Sequence, residues 1–400
     1  MKLVHVDRVK NTNIAMEKLG NFKLKESVVD ERITVLSVDK LRLRHFRNHS
    51  DLTLDFAPAL VVITGENGAG KTNILEAISL LAPGRGLRNA KLCAMINQRQ
   101  NEPQGWCIDA IINSLYGHTE VTTNLASNSS STGKRVVKTN DRAIRSHTEL
   151  SKLFGVIWLT PQMDPIFIAS SSLRRRFLDR LVYNFDPEHA SRMVIYENAM
   201  RQRLKLLREG RCDDVWLNAL EHNMAENAVA IAHSRVQTVE YLQEAIYSSG
   251  GEFPQARLTL AGEIEEMVPQ MAALQVEEIY TKKLKELRKL DMHSGRTNAG
   301  IHRSDLLVYH LGKNTEAALC STGEQKALLI SIILAEAKAK IKWHSSVPVL
   351  LLDEVVAHLD EPRREALLAE LADLKAQCFI TATDNKIFSS NANMAQFYQI

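Results

Sequence analysis

Three short segments carry residues whose types and spacing could do chemistry. Gly65, Glu66, Asn67, Gly68, Ala69, Gly70, Lys71 and Thr72 fit G-x-x-x-x-G-K-S/T in full. Glycines let a backbone wrap closely around phosphates, with amide N–H groups pointing inward at a helix N-terminus. Lys71 is suited to neutralise β- and γ-phosphates, the Thr72 hydroxyl to coordinate Mg²⁺, and Asn73 continues the cradle. Far along the chain, the apolar run Val349–Leu352 ends in Asp353 and Glu354. A buried parallel strand finishing in two acids puts both at its C-terminal edge, where ligands bind in open α/β sheets. Asp353 is assigned to the Mg²⁺ water shell. Glu354 is assigned to polarising the attacking water, because alternating side chains cannot both face one metal. Ser321, Thr322, Gly323, Glu324 and Gln325 precede the apolar helical run Ala327–Ala339. Alone they are an ordinary helix cap. Beside a phosphate loop they offer a second anion site at a helix N-terminus.

The elements that must position these residues are visible in the patterning. Leu60–Thr64 is a continuous β-branched run of the kind buried on both faces of a parallel sheet, and the stretch from Asn73 to Leu81 is an apolar helix. Ile33–Leu43 and Leu52–Phe56 alternate like half-buried strands. Trp106–Thr148 reads as short strands with a loop at Ser127–Gly133 and a turn at Asn140-Asp141. Residues 171–211, 214–248 and 263–290 are helical in pattern, and Gly250-Gly251 and Pro254 separate the last two. Val347–Thr381 is strand, helix, strand. Residues 1–33 are polar and weakly periodic, an N-terminal extension.

Composition bounds the function classes. The chain has 400 residues, 45% hydrophobic and 24% charged, with 50 basic against 47 acidic residues. A net charge of +3 excludes a polybasic nucleic-acid coat protein and an acidic disordered chain. No apolar window is long enough for a transmembrane helix, and the N-terminus has no apolar core of a secretory signal. The 5 cysteines are odd in number and widely spaced, without C-x-x-C, which fits reduced thiols in the cytosol. The small net charge is a cancellation. Residues 174–211 hold ten basic and five acidic side chains, and residues 212–278 two basic and twelve acidic.

Phosphate loop, signature helix and acidic strand end, in that order, resemble an ABC-type ATPase head, with S-T-G-E-Q in place of the transporter form L-S-G-G-Q. The wide, mainly helical separation of Lys71 from Ser321 is the architecture of the SMC, Rad50 and RecF group. His45-Phe46-Arg47-Asn48, the run Arg174-Arg175-Arg176-Phe177-Leu178-Asp179, and Leu351–Val355 through Leu359-Asp360 narrow the resemblance to the RecF family. So does Gly300–Asp305, with Ser304 where the family's G-x-H-R-D-D has its first aspartate. The likeness covers about residues 34–385. It implies an α/β fold: an ABC-type P-loop ATPase head, mixed sheet with helices, assembled from both chain ends around an inserted helical lobe. The implied division is extension 1–33, N-terminal half-head 34–165, helical insert 166–295 and C-terminal half-head 296–400.

The same resemblance implies ATP and Mg²⁺ held between Lys71 of one chain and Ser321–Gln325 of another, with Asp360 in the D-loop. ATP then favours a homodimer, and slow hydrolysis releases it. It also implies a cytoplasmic role in DNA replication, DNA damage repair and the SOS response, at junctions of single- and double-stranded DNA. RecO and RecR are the implied partners in loading RecA. Candidate DNA contacts are Arg85, Arg88, Lys91 and Arg99, then Arg174, Arg175 and Arg176, with Arg201, Arg203, Lys205 and Arg208 ranked lower. The family's glutamine between head and insert has no clear counterpart, Gln162 being nearest, and the transporter switch histidine has none. Thr381 and Thr383 either approach the γ-phosphate or merely end a strand. A transporter-coupled subunit fits the long insert poorly, and a clamp without hydrolysis leaves Glu354 unused.

Overall fold

The computed structural model describes residues 33–98, 105–126, 135–144, 146–210, 213–356, 359–384, 388 and 395–400. Residues 1–32 of the expected extension, the Ser127–Gly133 loop and Arg99 lie outside them. The architecture follows from the strand Leu60–Thr64. It lies in a five-stranded parallel sheet, in the order Ala395–Gln399, Leu60–Thr64, Cys378–Ala382, Val349–Leu352, Val156–Leu159. Side chains alternate along a strand, so each face needs its own apolar cover. Val62, Leu350, Leu352 and Ile380 join a core with helices Ser171–Tyr183, Thr322–His344 and Glu361–Asp373. Val61, Ile63, Leu351 and Phe379 join the opposite core, with helix Lys71–Ser79 and a six-stranded antiparallel sheet. Each fully buried aliphatic or aromatic side chain contributes about 1.5–3 kcal/mol. The continuous apolar run is thus the signature of a strand covered twice.

The antiparallel sheet runs His49–Asp55, Ser37–Phe46, Gly105–Ser114, Gly117–Ala126, Val136–Thr139, Arg142–Ala143. The expected turn at Asn140-Asp141 closes its last hairpin, with φ of 44° and 64° at the two residues, the geometry of a type I′ turn.

The helical region differs in detail from its pattern. The stretch 171–211 is two helices, Ser171–Tyr183 and His189–Arg208, because Pro187 lies between them and cannot continue the backbone ladder. The stretch 214–248 is one helix, Asp214–Ser248, whose N-cap Asp213 accepts from the N–H groups of Val215 and Trp216. The stretch 263–290 is three helices, Glu263–Met267, Ala273–Glu286 and Arg288–Ser294, with Pro269 in the first break. Several strands escaped the pattern, Val156–Leu159 among them. Ala256–Ala261 pairs antiparallel with Asp305–His310, and Ala395–Gln399 adds an edge to the parallel sheet. The long helix belongs to two cores. Leu217, Met224 and Ile231 pack with Leu206, Val276 and Tyr280, whereas Leu242 and Ile246 pack with Leu328 and Leu329. Among the described residues no helix is long and apolar enough to cross a membrane.

Candidate nucleotide-binding site

The parallel strand Leu60–Thr64 delivers the chain into the glycine loop, and the loop delivers it into helix Lys71–Ser79. Gly70 has φ of 114°, and a Cβ there would stand 2.6 Å from the side chains of both Asn48 and His49. Only glycine fits that position. No side chain caps the helix that follows, so its first N–H groups are available to an anion. Lys71 is buried, and its Nζ donates to the carbonyls of Gly65 (2.8 Å) and Glu66 (2.9 Å). The ammonium is thus held across the loop by the loop itself.

The acidic strand end meets the loop directly. Thr72 Oγ1 donates to Asp353 Oδ1 at 2.8 Å. Thr381 Oγ1 donates to the same oxygen at 2.8 Å and accepts from the N–H of Glu354 at 2.9 Å. Burial pushes the Asp353 carboxyl above its ordinary range; the bonds from Thr381 and Thr72 pull it down, and the nearby Glu354 charge adds to the rise. Glu354 has φ of 52°, a left-handed turn that ends the strand's alternation directly after Asp353. The two acids therefore occupy different places. Thr381 thus holds both acids through hydrogen bonds, and Thr383 is exposed.

Thr381→Val removes the partner of the half-buried Glu354 N–H and one of two hydroxyls on Asp353. The expected cost is about 1–3 kcal/mol of stability, with ATP turnover falling about tenfold. A thermal melt and a phosphate-release assay check both, and wild-type turnover would contradict the positioning role.

A second layer fixes the loop, and the sequence signalled it without a role. Arg47 grips the fully buried Glu76 with two bonds of 2.8 Å and donates to the Ala94 carbonyl at 2.9 Å. Asn48 Nδ2 donates to the Ala69 carbonyl at 2.7 Å, and Asn73 Nδ2 donates to Asn48 Oδ1 at 2.6 Å. Phe46 anchors the element edge-on against Trp106. His45–Asn48 is therefore a buttress for the phosphate loop. Glu76 was missed, although a glutamate inside the apolar run Ile74–Ile78 is a signal of a buried partner.

Several candidate DNA contacts are engaged within the fold instead. Arg88 is committed to Asn73 Oδ1 (2.7 Å) and Glu76 (3.4 Å). Arg174 forms a two-bond pair with Asp305, at 2.8 and 2.5 Å, joining the Arg174–Asp179 and Gly300–Asp305 elements. Arg175 donates to the Ser304 carbonyl at 2.7 Å. Arg203 is fully buried. Arg88, Arg174 and Arg203 are committed to acids within the fold, whereas among the described residues Arg175 meets only that carbonyl and Arg85, Lys91 and Arg176 are exposed.

Ser321 caps helix Thr322–His344 in a capping box: the Glu324 N–H donates to Ser321 Oγ, and the Ser321 N–H to the Glu324 carboxylate. A bond from Lys313, with those from Ser321, pulls the Glu324 carboxyl down to about 2. Ser321, Thr322 and Gly323 are exposed, and a Cβ on Gly323 would meet nothing. Gln325 Nε2 donates to the Cys320 carbonyl at 2.9 Å. Asp360 caps helix Glu361–Asp373, accepting from the Arg363 N–H at 3.0 Å. Gln162 is exposed in the turn after Val156–Leu159, at the sheet edge where the Leu159 carbonyl accepts from Asp353 N–H at 2.9 Å.

A parallel sheet that brings a glycine loop and an acidic strand end together, with a capped signature helix on the same chain, defines an ABC-type P-loop ATPase head. Residues 37–400 match the family described as RecF/RecN/SMC N terminal domain. The chain is 45% identical to the DNA replication and repair protein RecF of Mesorhizobium japonicum, over 91% of this chain and 96% of that one. It is 43% identical to RecF of Brucella abortus over 93% and 96%, and 42% identical to RecF of Rickettsia conorii over 90% and 98%. The chain belongs to the RecF family. Its fold resembles that of the recombination mediator protein RecF solved with an ATP analogue in the RecFOR pathway. That likeness has TM-score 0.78 and 21% identity, over 92% of this chain and 97% of that one.

Proposed function

We propose that this chain is an ATP-gated DNA-binding protein of recombinational repair and replication restart, acting in the cytoplasm under DNA damage and the SOS response. One observation carries the reading: Thr72, Asp353, Thr381 and Glu354 form one hydrogen-bonded chain at the sheet edge, directly after the loop that holds Lys71. The Thr72 hydroxyl and the Asp353 carboxylate, 2.8 Å apart, are hard oxygens of the kind Mg²⁺ takes. Bound there, Mg²⁺ would offset charge on the β- and γ-phosphate oxygens.

In this reading, the Gly65–Gly70 backbone and Lys71 bind the phosphates, and Glu354 accepts a proton from the attacking water. Ser321–Gln325 of a second chain closes over the γ-phosphate, and the exposure of Ser321, Thr322 and Gly323 supports that use. ATP then links two heads, while its slow hydrolysis separates them, so nucleotide state acts as a timer. The head comprises 34–165 and 296–400, the arm 166–295, and residues 1–33 an extension. The relatives' names, DNA replication and repair protein and recombination mediator of a RecFOR pathway, support the wider setting. Within it, the proposal adds DNA contact at single-strand/double-strand junctions and RecO and RecR as partners in loading RecA.

The test is a mobility shift on gapped and blunt duplexes, with and without ATP. ATP should tighten binding to gapped DNA by about 5–150-fold, the range of an ordinary coupling between two sites. Equal, ATP-independent binding to both substrates would contradict the reading.

A further inference from the structure

A cavity of about 410 Å³ opens between the start of helix Ser171–Tyr183, helix His189–Arg208 and the segment Gly295–Arg303. Arg175, Arg201, Arg296 and Arg303 converge on it from all three elements, and Met200 and Leu204 form an apolar wall. Among the described residues no carboxylate lines it, and none of the four arginines is in an ion pair. That contrasts with Arg174 and Arg203 nearby, which are both paired with acids. Thr297, also in the lining, is buried, with a hydroxyl that has no hydrogen-bond partner. A buried polar group in that state calls for a ligand or water.

The wall is rigid. A Cβ on Gly300 would collide with the hydroxyls of Tyr196 and Tyr280, and His302 is fixed by Tyr196 (2.9 Å) and the Thr297 carbonyl (3.0 Å). Arg303 and Arg296 are thus presented from a segment held against a buried tyrosine pair.

The geometry points to a binding site for single-stranded nucleic acid in this recess, and the assignment rests on the DNA-binding reading above. Arginine forks match phosphate oxygens in geometry and charge. Unstacked bases and sugars can lie along an apolar wall, while a duplex is a rigid convex rod that a recess of this size excludes. The arm would therefore hold the single-stranded side of a gap.

The test measures anisotropy of labelled oligothymidylate, blunt duplex and gapped duplex with wild-type protein, the double variant Arg296→Ala/Arg303→Ala, and Arg201→Glu. Thermal melts and nucleotide binding serve as folding controls, since all three arginines are exposed. Oligothymidylate affinity should fall about tenfold or more, and the double variant's log–log salt slope should shrink by about 1.4, while blunt-duplex binding changes less than about twofold. If wild type binds gapped DNA and the variants bind every probe equally well, the cleft assignment is overturned and the DNA-binding reading stands. If wild type binds no DNA probe at all, both fall. If the variants lose polyglutamate and keep oligothymidylate, the cleft serves an acidic protein and the assignment is overturned.

Discussion

Glu354→Gln lowers ATP turnover by about 10²–10³-fold while leaving ATP affinity within about twofold. The asymmetry follows from where the carboxylate stands. In the proposed mechanism the Gly65–Gly70 backbone and Lys71 would bind the phosphates, and Thr72 and Asp353, 2.8 Å apart, would supply oxygens to the metal. None of these contacts involves the Glu354 side chain. Its backbone is fixed by Thr381 at 2.9 Å and by the left-handed turn at φ 52°. Glutamine keeps the shape and the turn but cannot take the proton from water. Phosphate release at saturating ATP, together with titration of a fluorescent ATP analogue, separates the two quantities. Turnover within threefold of wild type would remove Glu354 from the mechanism. A parallel loss of affinity would place it among the binding groups instead.

Arg203→Ala destabilises the arm by about 3–5 kcal/mol, the range for breaking a buried ion pair by removing one partner. The Arg203, Glu221 and Asp291 side chains have no solvent exposure. The guanidinium donates to Glu221 at 2.9 Å, to Asp291 at 2.6 Å and to the Leu284 carbonyl at 2.6 Å. Arg288 also holds Glu221, through bonds of 2.9 and 2.6 Å, and half of its role survives. Among the described residues Asp291 then keeps the Asn298 N–H and amide and no cation. Urea unfolding followed by Trp216, on the long helix beside this cluster, should show the transition moving to lower denaturant. ATP binding in mild conditions should persist, because the phosphate loop lies in a different core. A change below about 1 kcal/mol would mean that the cluster is not a structural keystone of the arm.

The meeting of the glycine loop with the acidic strand end was largely legible in the sequence because these parts are short, local and chemically particular. A glycine loop needs special backbone angles, a buried parallel strand needs a continuous apolar run, and a metal site needs a hard acid at its end. Lys71, Thr72 and Asp353 could be named for those reasons, and the 35-residue helix Asp214–Ser248 showed its period plainly. What stayed hidden depends on contacts between distant segments. Nothing local shows that Arg47 will meet Glu76, or that Thr381 will serve both Asp353 and the Glu354 backbone. Basic residues are the clearest case. Arg88, Arg174 and Arg203 look like free charge in the sequence, yet each finds an acid far along the chain or in another helix. The edge strand Ala395–Gln399 is short and mixed in polarity, and its place is set by pairing with Leu60–Thr64 rather than by its own pattern.

The central claim is that ATP joins two copies of this chain, with the signature residues of each completing the other's site. Light scattering on Glu354→Gln tests it most directly, because blocked turnover holds the ATP state long enough to measure. Without nucleotide the mass should stay near the single-chain value of 44.9 kDa. With ATP and Mg²⁺ it should double, and adding Ser321→Arg, which places a bulky cation where the opposing γ-phosphate edge would dock, should return it to one chain. A Glu354→Gln protein that binds ATP and remains at the single-chain mass would contradict the account.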